Sequence, residues 1–104
     1  MSDYYVLNDK HEPVPVEFRE WTLVHGSPED RRVDQTTLPD DKWVSTVFLG
    51  MDHAFGDGPP LLFETMVFTS KKRMSEESCE RYSTWNEAVA GHARIVASLK
   101  EAQT

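Results

Sequence analysis

The stretch Trp43–Phe68, WVSTVFLGMDHAFGDGPPLLFETMVF, constrains this chain more than any other. Two apolar runs, Trp43–Leu49 and Leu61–Phe68, flank a segment, Gly50–Pro59, rich in Gly, Asp and Pro. The runs are too short to span a membrane, and their β-branched and aromatic residues predict two strands joined by a loop. Strand alternation puts Trp43, Ser45, Val47 and Leu49 on one face and Val44, Thr46 and Phe48 on the other. In the second run Leu61, Phe63, Thr65 and Val67 share one face, and Leu62, Glu64, Met66 and Phe68 share the other. Neither strand has a clean polar face, so both faces of the sheet are expected to be covered, one by helices and one by a partner subunit. A homo-oligomer follows.

The remaining elements are read outward from this pair. Tyr4–Leu7 is β-prone, Asn8-Asp9-Lys10 is a turn, and Pro13 and Pro15 hold the next stretch extended. From Val16 to Val24 the apolar spacing becomes helical, with Gly26 suited to the stop after His25. Ser27–Asp30 continues as a loop or a further turn. Arg32–Thr37 alternates as an exposed strand, and Leu38–Lys42 turns into Trp43. Lys71-Lys72-Arg73 is a small basic knot at a hairpin tip, and Arg81-Tyr82 is a short strand or an extended lead-in. Thr84-Trp85-Asn86-Glu87 fits a capping box and opens a helix to about Lys100, with Trp85, Val89, His92, Val96 and Leu99 in one stripe. Gly91 inside that helix implies close approach of backbone or ligand. The predicted fold is α+β in a single domain, residues 1–104: a mainly antiparallel sheet of about three to five strands, the short helix and the longer C-terminal helix.

Charge and composition exclude several function classes. Eighteen Asp and Glu against eleven Lys and Arg give a net charge of −7, which opposes nonspecific nucleic-acid binding. It suits an acidic protein that docks on a basic partner. Cys79, beside Glu76, Glu77 and Glu80, is the single cysteine, so neither a disulfide framework nor a cysteine-based zinc site is available. No apolar leader follows Met1, and the cytoplasm is the expected location.

The candidate site gathers ionisable groups near the apolar stretch. His53 and His92 have the chemistry of a general base and acid for a phosphodiester, with Glu64 as the third catalytic candidate. The same histidines could instead hold an anionic ligand in a pocket with Asp52, Glu64, Arg32, Arg81 and Tyr82. Glu64, in a strand apolar on both faces, needs a cation, and Arg32, Arg81 and the histidines are the choices. His92 within an apolar stripe also fits a core histidine with satisfied hydrogen bonds. No HExxH or HxH spacing occurs, and neither metal nor cofactor is expected. Gly56-Asp57-Gly58-Pro59-Pro60 leads into a strand, unlike a P-loop or a dinucleotide-binding turn.

VSTVFLGMDHAFGDGPPLLFETMVF (Val44–Phe68), followed by RYSTWNEAVAGH (Arg81–His92) and preceded by DRRV (Asp30–Val33), resembles a group of short, largely uncharacterised proteins of tailed bacteriophages and prophages. The resemblance implies a phage or prophage source, and hence the host-cell cytoplasm. By analogy with other small non-structural phage proteins it implies an accessory, anti-defence role. The leading expectation is therefore a phage-type protein that binds a small anionic ligand, in its sharpest form a nucleotide immune signal. The alternatives are a metal-independent phosphodiesterase acting on a cyclic nucleotide, and an acidic interaction module that inhibits a host defence protein.

Overall fold

The computed structural model describes residues 3–24, 31–54, 58–70 and 76–102. The element order is β1 (Tyr4–Leu7), β2 (Pro13–Val16), α1 (Phe18–Val24), β3 (Arg32–Thr37), β4 (Trp43–Phe48), β5 (Phe63–Phe68), β6 (Glu76–Tyr82) and α2 (Trp85–Ala102). The fold is α+β, with a four-stranded antiparallel sheet in the order β3-β4-β5-β6 and a separate antiparallel pair, β1-β2. The expected helix stop at His25-Gly26, the Ser27–Asp30 loop and the basic knot Lys71–Arg73 lie outside the described residues.

The central pair is in register from Trp43↔Phe68 to Phe48↔Phe63, with Thr46 opposite Thr65 and Val47 opposite Glu64. Directly opposed residues share a face. One face therefore carries Val44, Thr46, Phe48, Phe63, Thr65 and Val67, and α2 packs on it. Leu38, Val44 and Val67 meet Ile95, Val96 and Leu99, while Phe48, Leu62, Phe63, Tyr82 and Ala88 form the second core cluster with Trp85 at its edge.

Two local devices fix α2. At its start the Glu87 amide donates to Thr84 Oγ1 and the Thr84 amide donates to Glu87 Oε1, both at 3.1 Å, as the capping box predicts. Further on, Ala88, Gly91 and His92 are its fully buried residues. The buried stripe is thus rotated from the expected one: Val89 is exposed, and Ala88, Gly91 and Ile95 turn inward. Small residues at 88 and 91 let the helix backbone approach Tyr82, which outweighs burying the larger Val89.

The β1-β2 hairpin closes the far end of the molecule. Asn8 Oδ1 accepts the amides of Lys10 and Glu12, and His11 takes a positive φ and stacks on Trp85. Tyr5 and Leu7 pack on the core, while Tyr4, pointing the other way, makes tilted ring contacts with Phe18 and Trp21 of α1. So α1 covers the hairpin rather than the four-stranded sheet, and Phe18, Leu23 and Val24 remain exposed. No described helix is long and apolar enough to cross a membrane.

Candidate functional site

Strand alternation sorts the candidate residues into three places. Arg32, Val47, Glu64 and Arg81 form one cross-strand row over β3, β4, β5 and β6, on the face opposite α2. Tyr82 and His92 belong to the α2-covered face. Asp52 and His53 sit in the loop beyond the ends of β4 and β5. The expected pocket combining Glu64, His92 and the Asp52–Pro60 loop is therefore not formed by the described residues. Glu64 neighbours Thr65 in β5, and adjacent strand residues point to opposite faces; Thr65 and His92 take one side and Glu64 the other.

His92 is 2% exposed and both its ring nitrogens are engaged. Nδ1 lies 2.7 Å from Thr46 Oγ1, and Nε2 lies 2.9 Å from Thr36 Oγ1, with Asp34 Oδ2 at 3.7 Å. Thr46 Oγ1 in turn lies 2.5 Å from Thr65 Oγ1, which accepts the Tyr82 hydroxyl at 3.1 Å. Burial pushes the His92 imidazole below its ordinary 6.5, and Asp34 opposes that only in part. The cluster is a satisfied internal network, the core-histidine reading of this residue. Its hydroxyl partners, Thr36, Thr46 and Thr65, were not singled out from sequence; two threonines on strands that pair, facing a helix with a histidine in its apolar stripe, are the signal that marks them.

Burial, first, and Glu80 nearby push the Tyr82 phenol above its ordinary 10.0. The unfolded chain then loses this proton before the folded one does, so the Tyr82 contribution to stability is lost as pH rises above 10.0.

Asp52 works as a clamp. Its Oδ1 accepts the amides of Ala54 (2.8 Å) and Leu61 (3.0 Å), closing the loop base, where the His53 amide also donates to the Leu61 carbonyl. Gly50, with φ of 77°, makes the turn that leads the chain off β4. His53 Nδ1 lies 2.9 Å from the Met51 carbonyl oxygen. Leu61, to which His53 is tied, precedes Thr65 by four positions, on the order of 13 Å in extended chain. The structure therefore does not bring His53 beside His92.

On the face opposite α2 Glu64, 7% exposed, accepts a hydrogen bond from Arg81 Nε at 2.9 Å and one from Cys79 Sγ at 3.3 Å. Of the cations considered for Glu64, Arg81 is the one bonded to it. Removing one partner of such a pair leaves a buried charge uncompensated. Arg81→Ala is expected to destabilise the fold by about 1–3 kcal/mol, read as a lower urea midpoint with unchanged slope.

The same face holds a shallow depression of about 210 Å³ lined by Trp43, Ser45, Val47, Glu64, Met66 and Phe68. The Trp43 and Phe68 rings stack across it at 5.3 Å. Its lining is apolar apart from Ser45 and the Glu64 carboxylate, which suits apolar or aromatic contact better than a phosphate. Among the described residues no cluster of three His, Cys, Asp or Glu side chains is arranged to hold a metal ion. No family profile, curated protein or solved structure matches the chain.

Proposed function

We propose that this protein is a non-catalytic interaction module whose working surface is the sheet face opposite α2, and that this face seats a second copy of the chain. The observation that carries the reading is the asymmetry of the sheet. α2 buries one face, and among the described residues no helix packs on the other, where Val47, Met66 and Phe68 are half-buried and Trp43 is 8% exposed. An apolar sheet face of this kind marks an interaction site.

A second copy fits this face for two reasons. Among the residues whose side chains are described, this face carries Arg32, Glu64 and Arg81, two cations and one anion, whereas the whole chain carries −7. Docking here keeps the acidic remainder of both copies apart. The face is also self-complementary. A two-fold axis along the Ser45–Met66 row lays Trp43 of one copy over Val47 of the other, and Phe68 over Glu64. The Trp43–Val47 apolar contact then occurs twice across the axis.

Four strands about 4.8 Å apart and about six residues long give a face of roughly 400 Å² in projection. That is about half the roughly 800 Å² per partner of a standard stable interface, so the dimer should dissociate on dilution. Light scattering after gel filtration is expected to give twice the 11.9 kDa chain mass at high concentration, falling toward the monomer mass on dilution. A monomer at all concentrations up to about millimolar, where only the weakest specific pairs would escape detection, would overturn the proposal.

The resemblance to short tailed-phage proteins supports reading the module as an accessory protein of a phage or prophage, with a host defence protein as a further partner class. The nucleotide-ligand and phosphodiesterase readings rely on His53 and His92 acting together. They draw less support, because the partners of His92 are internal hydroxyls and His53 is held at the loop base.

A further inference from the structure

We infer that His92 latches α2 onto the sheet only as the neutral imidazole carrying its proton on Nε2, and that acid opens the latch by reversing a line of hydroxyl donors. This inference stands on the covered face and does not depend on the dimer.

The direction of the line follows from counting protons. The Tyr82 hydroxyl donates to Thr65 Oγ1. The Thr65 proton then has Thr46 Oγ1 as its acceptor at 2.5 Å, and the Thr46 proton has His92 Nδ1 at 2.7 Å. Nδ1 must therefore be bare. The single ring proton sits on Nε2 and is donated to Thr36 Oγ1 at 2.9 Å. Every hydroxyl from Tyr82 to Thr46 donates once along the line, and β3, β4, β5 and β6 are all joined to α2 through one ring.

Protonation of Nδ1 breaks this arrangement. Thr46 must accept from the ring and turn its own proton toward Thr65. Thr65 then accepts from both Thr46 and Tyr82, and its own proton loses its acceptor at a place where Thr46 and Thr65 are both 0% exposed and water is excluded. The charged and titratable groups around the ring do not offset this. β3 supplies Asp34, exposed to solvent and 3.7 Å from Nε2, on the side away from the conflict. β4 and β5 supply only Thr46 and Thr65, since Glu64 points to the other face. β6 supplies the neutral Tyr82, and Glu80, which is paired with Arg94 of α2 on the outer surface. The neighbours of His92 along the buried side of α2 are Ala88, Gly91, Ile95, Val96 and Leu99, without charge.

Since the released ring takes its proton near 6.5 and the latched ring takes it only at lower pH, opening is unaffected above 6.5 and becomes easier below it. Two measurements on the wild-type chain test this. Long-range nitrogen–proton NMR of the imidazole at pH 7.5 should show a bare Nδ1 and a protonated Nε2. Amide hydrogen exchange between pH 6.5 and 5 should show protection factors over residues 88–99 falling about tenfold per pH unit until His92 itself titrates. His92→Gln, which has no proton to gain in this range, should show no such fall. A proton on Nδ1 at neutral pH, or α2 protection that stays constant from pH 6.5 to 5, would overturn the inference. If the glutamine variant does not fold, the wild-type measurements decide alone.

Discussion

Gly91→Ala lowers the melting temperature, although alanine is the better helix former. On helix propensity alone the change should stabilise by about 1 kcal/mol. The site has no room for it. A Cβ at position 91 would overlap the Tyr82 hydroxyl oxygen and two of its ring carbons. The ring is rigid, 7% exposed, and tethered through its hydroxyl to Thr65. Either the ring moves and the line to His92 is broken, or α2 lifts from the sheet. Overpacking of this kind costs about 1–3 kcal/mol, and a loss of 1 kcal/mol shifts a domain of this size by about 4–8 °C. Thermal melts followed by circular dichroism should therefore place the variant several degrees below wild type. Tyr82→Ala should remove most of the penalty of the alanine, so that the two changes together cost less than their sum. An alanine variant as stable as wild type would mean that the ring does not sit over Gly91.

His92→Ala carries the second large effect. It deletes a 2% exposed ring, opens a cavity beneath α2 and leaves the Thr46 proton without its acceptor. A cavity together with an unsatisfied buried donor costs about 2–4 kcal/mol. Asp34→Asn, in contrast, alters a solvent-exposed carboxylate 3.7 Å from the ring and should change stability by no more than about 0.5 kcal/mol. Urea denaturation at pH 7.5 separates the two. Equal losses for both variants would show that charge, not the hydroxyl line, holds the ring.

The elements of this fold were written locally, and their relative placement was not. Thr84 and Glu87 carry the capping box in four residues, and the start of α2 follows from it. The alternation in Trp43–Phe68 separates two faces in each strand. Register is what joins them: once Thr46 opposes Thr65 and Val47 opposes Glu64, Glu64 cannot share a pocket with His92. That register depends on the loop base, where the Asp52 carboxylate closes the turn through tertiary geometry that spacing does not reveal. β6 runs from Glu76, longer than its Arg81-Tyr82 end suggests, because an edge strand gains its order by pairing with β5 even where glutamates disfavour strand. The stripe on α2 was displaced because Ala88 and Gly91 earn their burial by being small, which a reading weighted to large apolar residues passes over. The expectation of α1 against the sheet met the aromatic pull of Tyr4, which draws Phe18 and Trp21 onto the hairpin.

The sheet face opposite α2 is the feature on which the proposed function turns, and one substitution addresses it directly. Met66 is half-buried in the middle row of that face, where a lysine can keep its ammonium in water without disturbing the fold of the monomer. Sedimentation equilibrium of wild type, Met66→Lys and Val89→Lys compares that face with the exposed outer side of α2. A wild-type dimer that dissociates on dilution, a Met66→Lys monomer and a Val89→Lys protein that behaves as wild type are the predicted results. A wild-type monomer at every concentration, or a Met66→Lys chain that still dimerises, would contradict docking through this face.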